Sequence, residues 1–117
     1  MKLSETPAVV SPEPSWNTTD LLEYRLRESP DLALFALPEG STWRGVPVKE
    51  FHAKVHTLAK GFVAAGIEPG ERIAFVAKTN YEWTLVDFAL WYAGAVMVPV
   101  YETSSSAQIE WRLEDSE

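Results

Sequence analysis

No cysteine occurs among the 117 residues. A disulfide framework, a thiolate metal site and a cysteine nucleophile are therefore excluded, and Cys pairing gives no information about redox compartment. Positive charge is scarce: 10 Lys and Arg stand against 17 Asp and Glu, a formal net charge of −7. A duplex-binding surface needs a basic stripe to displace counterions from phosphates, so nucleic acid is not an expected partner. The six glycines (Gly40, Gly45, Gly61, Gly66, Gly70 and Gly94) form no G-x-G and none leads into Lys-Ser/Thr. That removes the phosphate-cradling loops. A G-x-S-x-G elbow is also missing, which leaves a hydrolase triad without support. The longest apolar run, FALWYAGAVMVPVY over 88–101, is divided by Gly94 and Pro99. It is shorter than the roughly 20 residues a bilayer span needs. The first twenty residues have no sustained apolar core and contain Pro7, Pro12 and Pro14, so they do not read as a signal peptide. The expected location is cytoplasmic.

What is present is globular in character. Hydrophobic residues make up 46% and charged residues 23%, which argues against wholesale disorder. The length suits one small domain or a piece of a larger one. Residues 1–17 read as a Pro/Ser-rich arm, with Trp16 the one large side chain expected to dock. Thr18-Thr19-Asp20 offers cap oxygens for a short helix that presents Leu21, Leu22 and Leu26 and stops before Pro30. Residues 32–37 and 42–46, joined by Pro38-Glu39-Gly40-Ser41, predict a β-hairpin.

Pro47 suits a first helical turn. Phe51, Val55, Leu58 and Phe62 then recur at spacings of one helical turn and predict an amphipathic helix ended by Gly66. After the turn Glu68-Pro69-Gly70-Glu71, the almost wholly apolar segment 72–77 predicts a strand covered on both faces. Thr79 and Glu82 have capping-box spacing. The helix they open, over 80–93, is apolar around most of its circumference and is expected to be buried on more than one side. Residues 95–100 predict a second buried strand that leaves the sheet at Pro99. Ser105 and Gln108 repeat the box before a last short helix carrying Ile109 and Leu113.

Strand, helix and strand over 72–100 make a βαβ unit with parallel strands. The fold class is α/β: a partial parallel sheet preceded by a β-hairpin and flanked by helices. Two parallel strands are few for such a sheet, so residues 18–117 read as an incomplete portion of a larger domain.

Few residues carry a chemical signal. His52 and His56 lie four apart on a helix, a metal-compatible spacing, but Ala53 stands where a metalloprotease has its Glu. With no carboxylate partner in view they read as solvated helix histidines, and no metal ligand is assigned. Thr103-Ser104-Ser105-Ser106 follows a strand and opens a helix, a place suited to an anion or to a plain hydroxyl cap; the cap is favoured. The five tryptophans, Trp16, Trp43, Trp83, Trp91 and Trp111, are assigned to core and interface packing. The acidic end, Glu110, Glu114, Asp115 and Glu117, reads as a solvated helix face.

Four stretches in order carry a family resemblance. They are Thr42-Trp43-Arg44-Gly45-Val46 with Glu50-Phe51; Gly61-Phe62 through Gly66-Ile67-Glu68-Pro69-Gly70-Glu71-Arg72-Ile73-Ala74; Asn80-Tyr81-Glu82-Trp83; and Tyr92-Ala93-Gly94-Ala95-Val96-Met97-Val98-Pro99-Val100-Tyr101. Residues 46–117 resemble the N-terminal part of acyl-activating, adenylate-forming enzymes, with Glu71 where the commoner residue is Asp. Tyr101-Glu102-Thr103-Ser104-Ser105 and 108–116 resemble the bacterial long-chain fatty acid–CoA ligases most closely. The resemblance implies a two-step reaction in the parent enzyme: a fatty acid carboxylate attacks the α-phosphate of ATP, then coenzyme A takes the acyl group. It also implies Mg²⁺ and a Ser/Thr/Gly-rich loop ending in Pro-Lys-Gly, which lies beyond this stretch in the family. No catalytic residue is therefore assigned, and the chain alone is expected to be inactive. Tyr101, Thr103 and Ser104 are the candidate contacts to substrate or coenzyme A. The implied partners are the remainder of the parent enzyme and its fatty acid, with peripheral membrane contact possible. The apolar helix 80–93 adds an expectation of self-association. The alternative is a stand-alone α/β interaction or oligomerisation module without catalysis.

Overall fold

The computed structural model describes residues 6–7 and 13–116. The arm assigned to residues 1–17 lies mostly outside them, as does Glu117. Helix α1 (Thr18–Glu28) opens at Asn17, one residue before the expected cap. The Asn17 side chain accepts from the amides of Thr19 and Asp20, and Asp20 returns the bond to the Asn17 amide. Asn reaches two orphan amides at once, so it displaces the threonines as cap. Trp16 packs on Tyr24, with ring centroids 5.3 Å apart.

The expected hairpin is present: β1 (Ala33–Glu39) pairs antiparallel with β2 (Thr42–Pro47), and the register shifts between Ala33 and Phe35. Helix α2 (Val48–Ala64) follows directly. Its apolar stripe buries Phe51, Val55 and Ala59 and half-buries Leu58 and Phe62. Leu22 from α1, Val46 from β2 and Ala89 join the same core.

Strand β3 (Arg72–Val76) pairs in parallel with β4 (Val96–Val100), and α3 (Tyr81–Tyr92) connects them. Three expectations are corrected here. Asn80 alone caps α3, accepting from the Trp83 amide at 2.8 Å, so the Thr79–Glu82 box is not the cap. Strand β3 is covered on one face only: Ile73 and Phe75 are half-buried while Ala74 and Val76 are exposed. Its apolar composition exceeds what the described residues cover. Finally, β4 does not leave the sheet at Pro99, which stays in register with Phe75. Among the described residues β4 has a partner on one side only, and the missing N–H costs nothing on an open side.

Every residue of α3 except Glu82 is at least half-buried, as the all-round apolar pattern predicts. One side meets α2, and Leu90, Ala93, Ala95 and Val100 are buried outside that core. Helix α4 (Ser106–Asp115) has the predicted box between Ser105 and Gln108. The tryptophan assignment to core and interface packing is corrected in its core part. Trp43 and Trp111 are exposed, because the hairpin and α4 each have an uncovered outer face, and Trp16, just before α1, is exposed as well; Trp83 and Trp91 are half-buried. Glu110, Glu114 and Asp115 are exposed, as a solvated face requires. No helix among the described residues is long and apolar enough to cross a membrane.

Candidate functional site

Two groupings carry polar chemistry. The first lies where β4 runs into α4. Tyr101, Thr103 and Ser104, the three residues singled out from the sequence, line one cleft of ≈ 590 Å³ with Gln108, Trp111 and Arg112. The chain turns there because the Ser104 amide donates to the Tyr101 carbonyl at 3.0 Å. Ser105 then caps α4 through the Gln108 amide, while Gln108 Oε1 accepts from the Ser105 amide at 2.9 Å. The helix thus supplies its own cap, as favoured from the sequence. Arg112 Nη1 donates to the Pro99 carbonyl at 3.5 Å and holds one wall. The cleft offers hydroxyls that donate or accept and one guanidinium, a set that binds and orients a polar group rather than one that activates a nucleophile.

The second grouping supplies the carboxylate partner that the sequence did not reveal for His52 and His56, and it withdraws His52, though not His56, from solvent. Glu23 of α1 reaches both: His52 Nε2 lies 2.8 Å and His56 Nε2 3.4 Å from Glu23 Oε1. Tyr92 of α3 donates its hydroxyl to the same oxygen at 2.7 Å. The histidine ring centroids lie 4.2 Å apart with the planes tilted by 36°, and the His56 ring lies 4.5 Å from that of Tyr92. The His52 side chain is only 17% exposed. Glu23 and Tyr92 were not found from the sequence, because they stand 29 and 40 positions from His52, on other helices (52 − 23 and 92 − 52). No local spacing signals such a meeting.

The Tyr92 hydroxyl, joined by His52 and His56, holds the Glu23 carboxyl below the ordinary carboxylate range against the opposing effect of burial. Burial, followed by the bond to Glu23, pushes the Tyr92 phenol well above its usual range. A depressed carboxyl stabilises the fold fully above its unfolded pKa, about 4.3, and that contribution disappears as pH falls through the folded value. Glu23→Gln keeps an acceptor for Tyr92 but does not titrate. The stability gap between wild type and Glu23→Gln is expected to shrink as pH falls below about 4.3. Urea titrations at stepped pH measure it; a gap that stays constant down to acid unfolding refutes it.

A helix, a β-hairpin, a second helix and a parallel βαβ pair follow one another in this chain, and solved structures share the arrangement. The N-terminal subdomain of Klebsiella oxytoca NpsA superposes with a TM-score of 0.76 at 22% identity, covering 85% of this chain and 25% of that one. The fatty acid AMP ligase from Legionella pneumophila superposes with a TM-score of 0.66 at 18% identity, over 78% of this chain and 16% of that one. At the level of sequence, the model of the AMP-binding enzyme family matches residues 22–117. The chain belongs to that family. It is 37% identical over 91 residues to the long-chain-fatty-acid–CoA ligase FadD15 of Mycobacterium tuberculosis, covering 78% of this chain and 15% of the ligase. The chain therefore spans about 15% of the length of that relative.

Proposed function

We propose that this chain is the N-terminal structural portion of an ATP-dependent long-chain fatty acid–CoA ligase. The observation that carries the reading is the 37% identity to FadD15 across 91 residues. In this reading the 117 residues are scaffold. The hairpin and α1–α3 form a core, and the open face of β3 and β4 receives polypeptide from the rest of the ligase. Acyl-adenylate and acyl-CoA formation belong to the longer protein, which acts in the cytoplasm and meets its lipid substrate through peripheral membrane contact. No step is assigned to ATP or Mg²⁺ here, because the sequence has no phosphate loop to hold them. Tyr101, Thr103 and Ser104 supply contacts to substrate or coenzyme A from the edge of their cleft.

The alternative, a non-catalytic interaction module that pairs with a second copy, is favoured by the exposure of Val76, Val96 and Trp111. One comparison separates the two. Pyrophosphate release is measured with ATP, Mg²⁺, coenzyme A and a long-chain fatty acid, for the 117-residue chain and for the polypeptide its coding sequence specifies at ligase length. The ligase reading expects acid-dependent release from the long form and none from the short form. Release by the short form overturns the scaffold role. An inert long form, or a stop codon after Glu117 with a dimer in light scattering, favours the interaction module.

A further inference from the structure

We propose that Glu23, His52 and His56 form a binding site for a divalent cation of the zinc class, which ties α1 to α2. The inference is independent of ligase chemistry and uses elements apart from the Tyr101 cleft. His52 and His56 are one helical turn apart, so both imidazoles leave the same face of α2. Both direct Nε2 at one oxygen of Glu23, and the three donor atoms lie within 4.8 Å of one another. In a tetrahedral zinc site with bonds of about 2.1 Å, neighbouring donors stand roughly 3.4 Å apart. The His56–Glu23 separation, 3.4 Å, already meets that spacing, and the His52–Glu23 pair, at 2.8 Å, has to open slightly.

Hydrogen bonding alone leaves this cluster overfilled. Glu23 Oε1 has three close partners, the Tyr92 hydroxyl and two imidazole nitrogens. A carboxylate oxygen has about two lone-pair directions, so Glu23 Oε1 does not serve the Tyr92 hydroxyl and two imidazole Nε2–H donors equally well. A cation uses what the hydrogen bonds leave over: two neutral imidazoles and a carboxylate give a His₂Glu donor set, with a further position for water. Two nitrogen donors select against Mg²⁺ and Ca²⁺, which take oxygen. Tyr92 completes the arrangement by holding the carboxylate in place, as outer partners of metal ligands do. Glu23 and His56 are 45% and 40% exposed, which leaves an entry path.

The test is calorimetric titration of Zn²⁺ into the 117-residue chain, with the imidazole ¹⁵N signals followed in parallel. Expected are one ion per chain, joint movement of the His52 and His56 Nε2 signals, a rise in Tm, and no response to Mg²⁺. His56→Gln and Glu23→Gln are each expected to weaken binding at least ~10-fold, since losing a ligand costs no less than losing an outer partner. Glu23 and His56 are half-buried at the helix surface, outside the apolar core, so the Gln variants are expected to fold. Unchanged affinity in either variant overturns the proposal, as does binding without movement of both imidazole signals. Equal Zn²⁺ affinity for the chain unfolded in urea also overturns it, because the site requires α1 docked on α2.

Discussion

Phe51→Ala is expected to destabilise the fold by about 3–5 kcal/mol, the range for emptying an aromatic site in a packed core. Phe51 is 1% exposed and sits among three rings: Phe35 at 5.0 Å, Phe88 at 5.4 Å and Tyr81 at 6.1 Å. Those rings come from β1 and α3, so one side chain of α2 joins the hairpin to the βαβ unit. Small domains are stable by roughly 5–15 kcal/mol, so the loss is a large fraction of the total. A urea titration is expected to show a lower midpoint with little change in slope. Trp43→Ala is the matched control. Trp43 is 71% exposed on the hairpin, and its removal is expected to change stability by no more than about 0.5 kcal/mol. If the two variants unfold at the same midpoint, the core is not organised around α2.

Gly94→Val is expected to cost about 2–5 kcal/mol, from two sources. Gly94 has φ +80°, where a β-branched residue is strained. A Cβ there would also lie 3.1 Å from Cβ of Pro69, in the loop before β3. The close approach is fixed by backbone bonds: the Gly70 amide donates to the Gly94 carbonyl at 2.8 Å, and the Val96 amide to that of Glu71 at 2.7 Å. Gly94 thus ends α3 and clamps the entry to β3 against the entry to β4. Gly40→Val separates the two sources. Gly40 has φ +61° with nothing near its missing Cβ, so only the backbone cost of about 1–2 kcal/mol is expected. Equal losses at the two positions would show that the contact with Pro69 contributes nothing.

Element types were legible because they depend on local spacing. The stripe from Phe51 to Phe62, the Ser105–Gln108 box and the turn between β1 and β2 each lie within a few positions of chain. Boundaries moved where two local signals competed, as at Asn17 against Thr18 and at Asn80 against Thr79. The burial of β3 was overestimated because an apolar strand reports what it suits, and the described residues cover only its Ile73 and Phe75 face. Tyr101, Thr103 and Ser104 are close in sequence, and the structure places them around one cleft.

The order of elements, the parallel pairing through α3 and the family likeness were set by residues near one another in the chain, where periodicity and turn chemistry act. The meeting of Glu23 with His52, His56 and Tyr92 was decided by the docking of three helices. Hydrogen bonds between groups 29 and 69 positions apart leave no periodic trace, because each partner need only face the right way once the apolar core has brought the helices together.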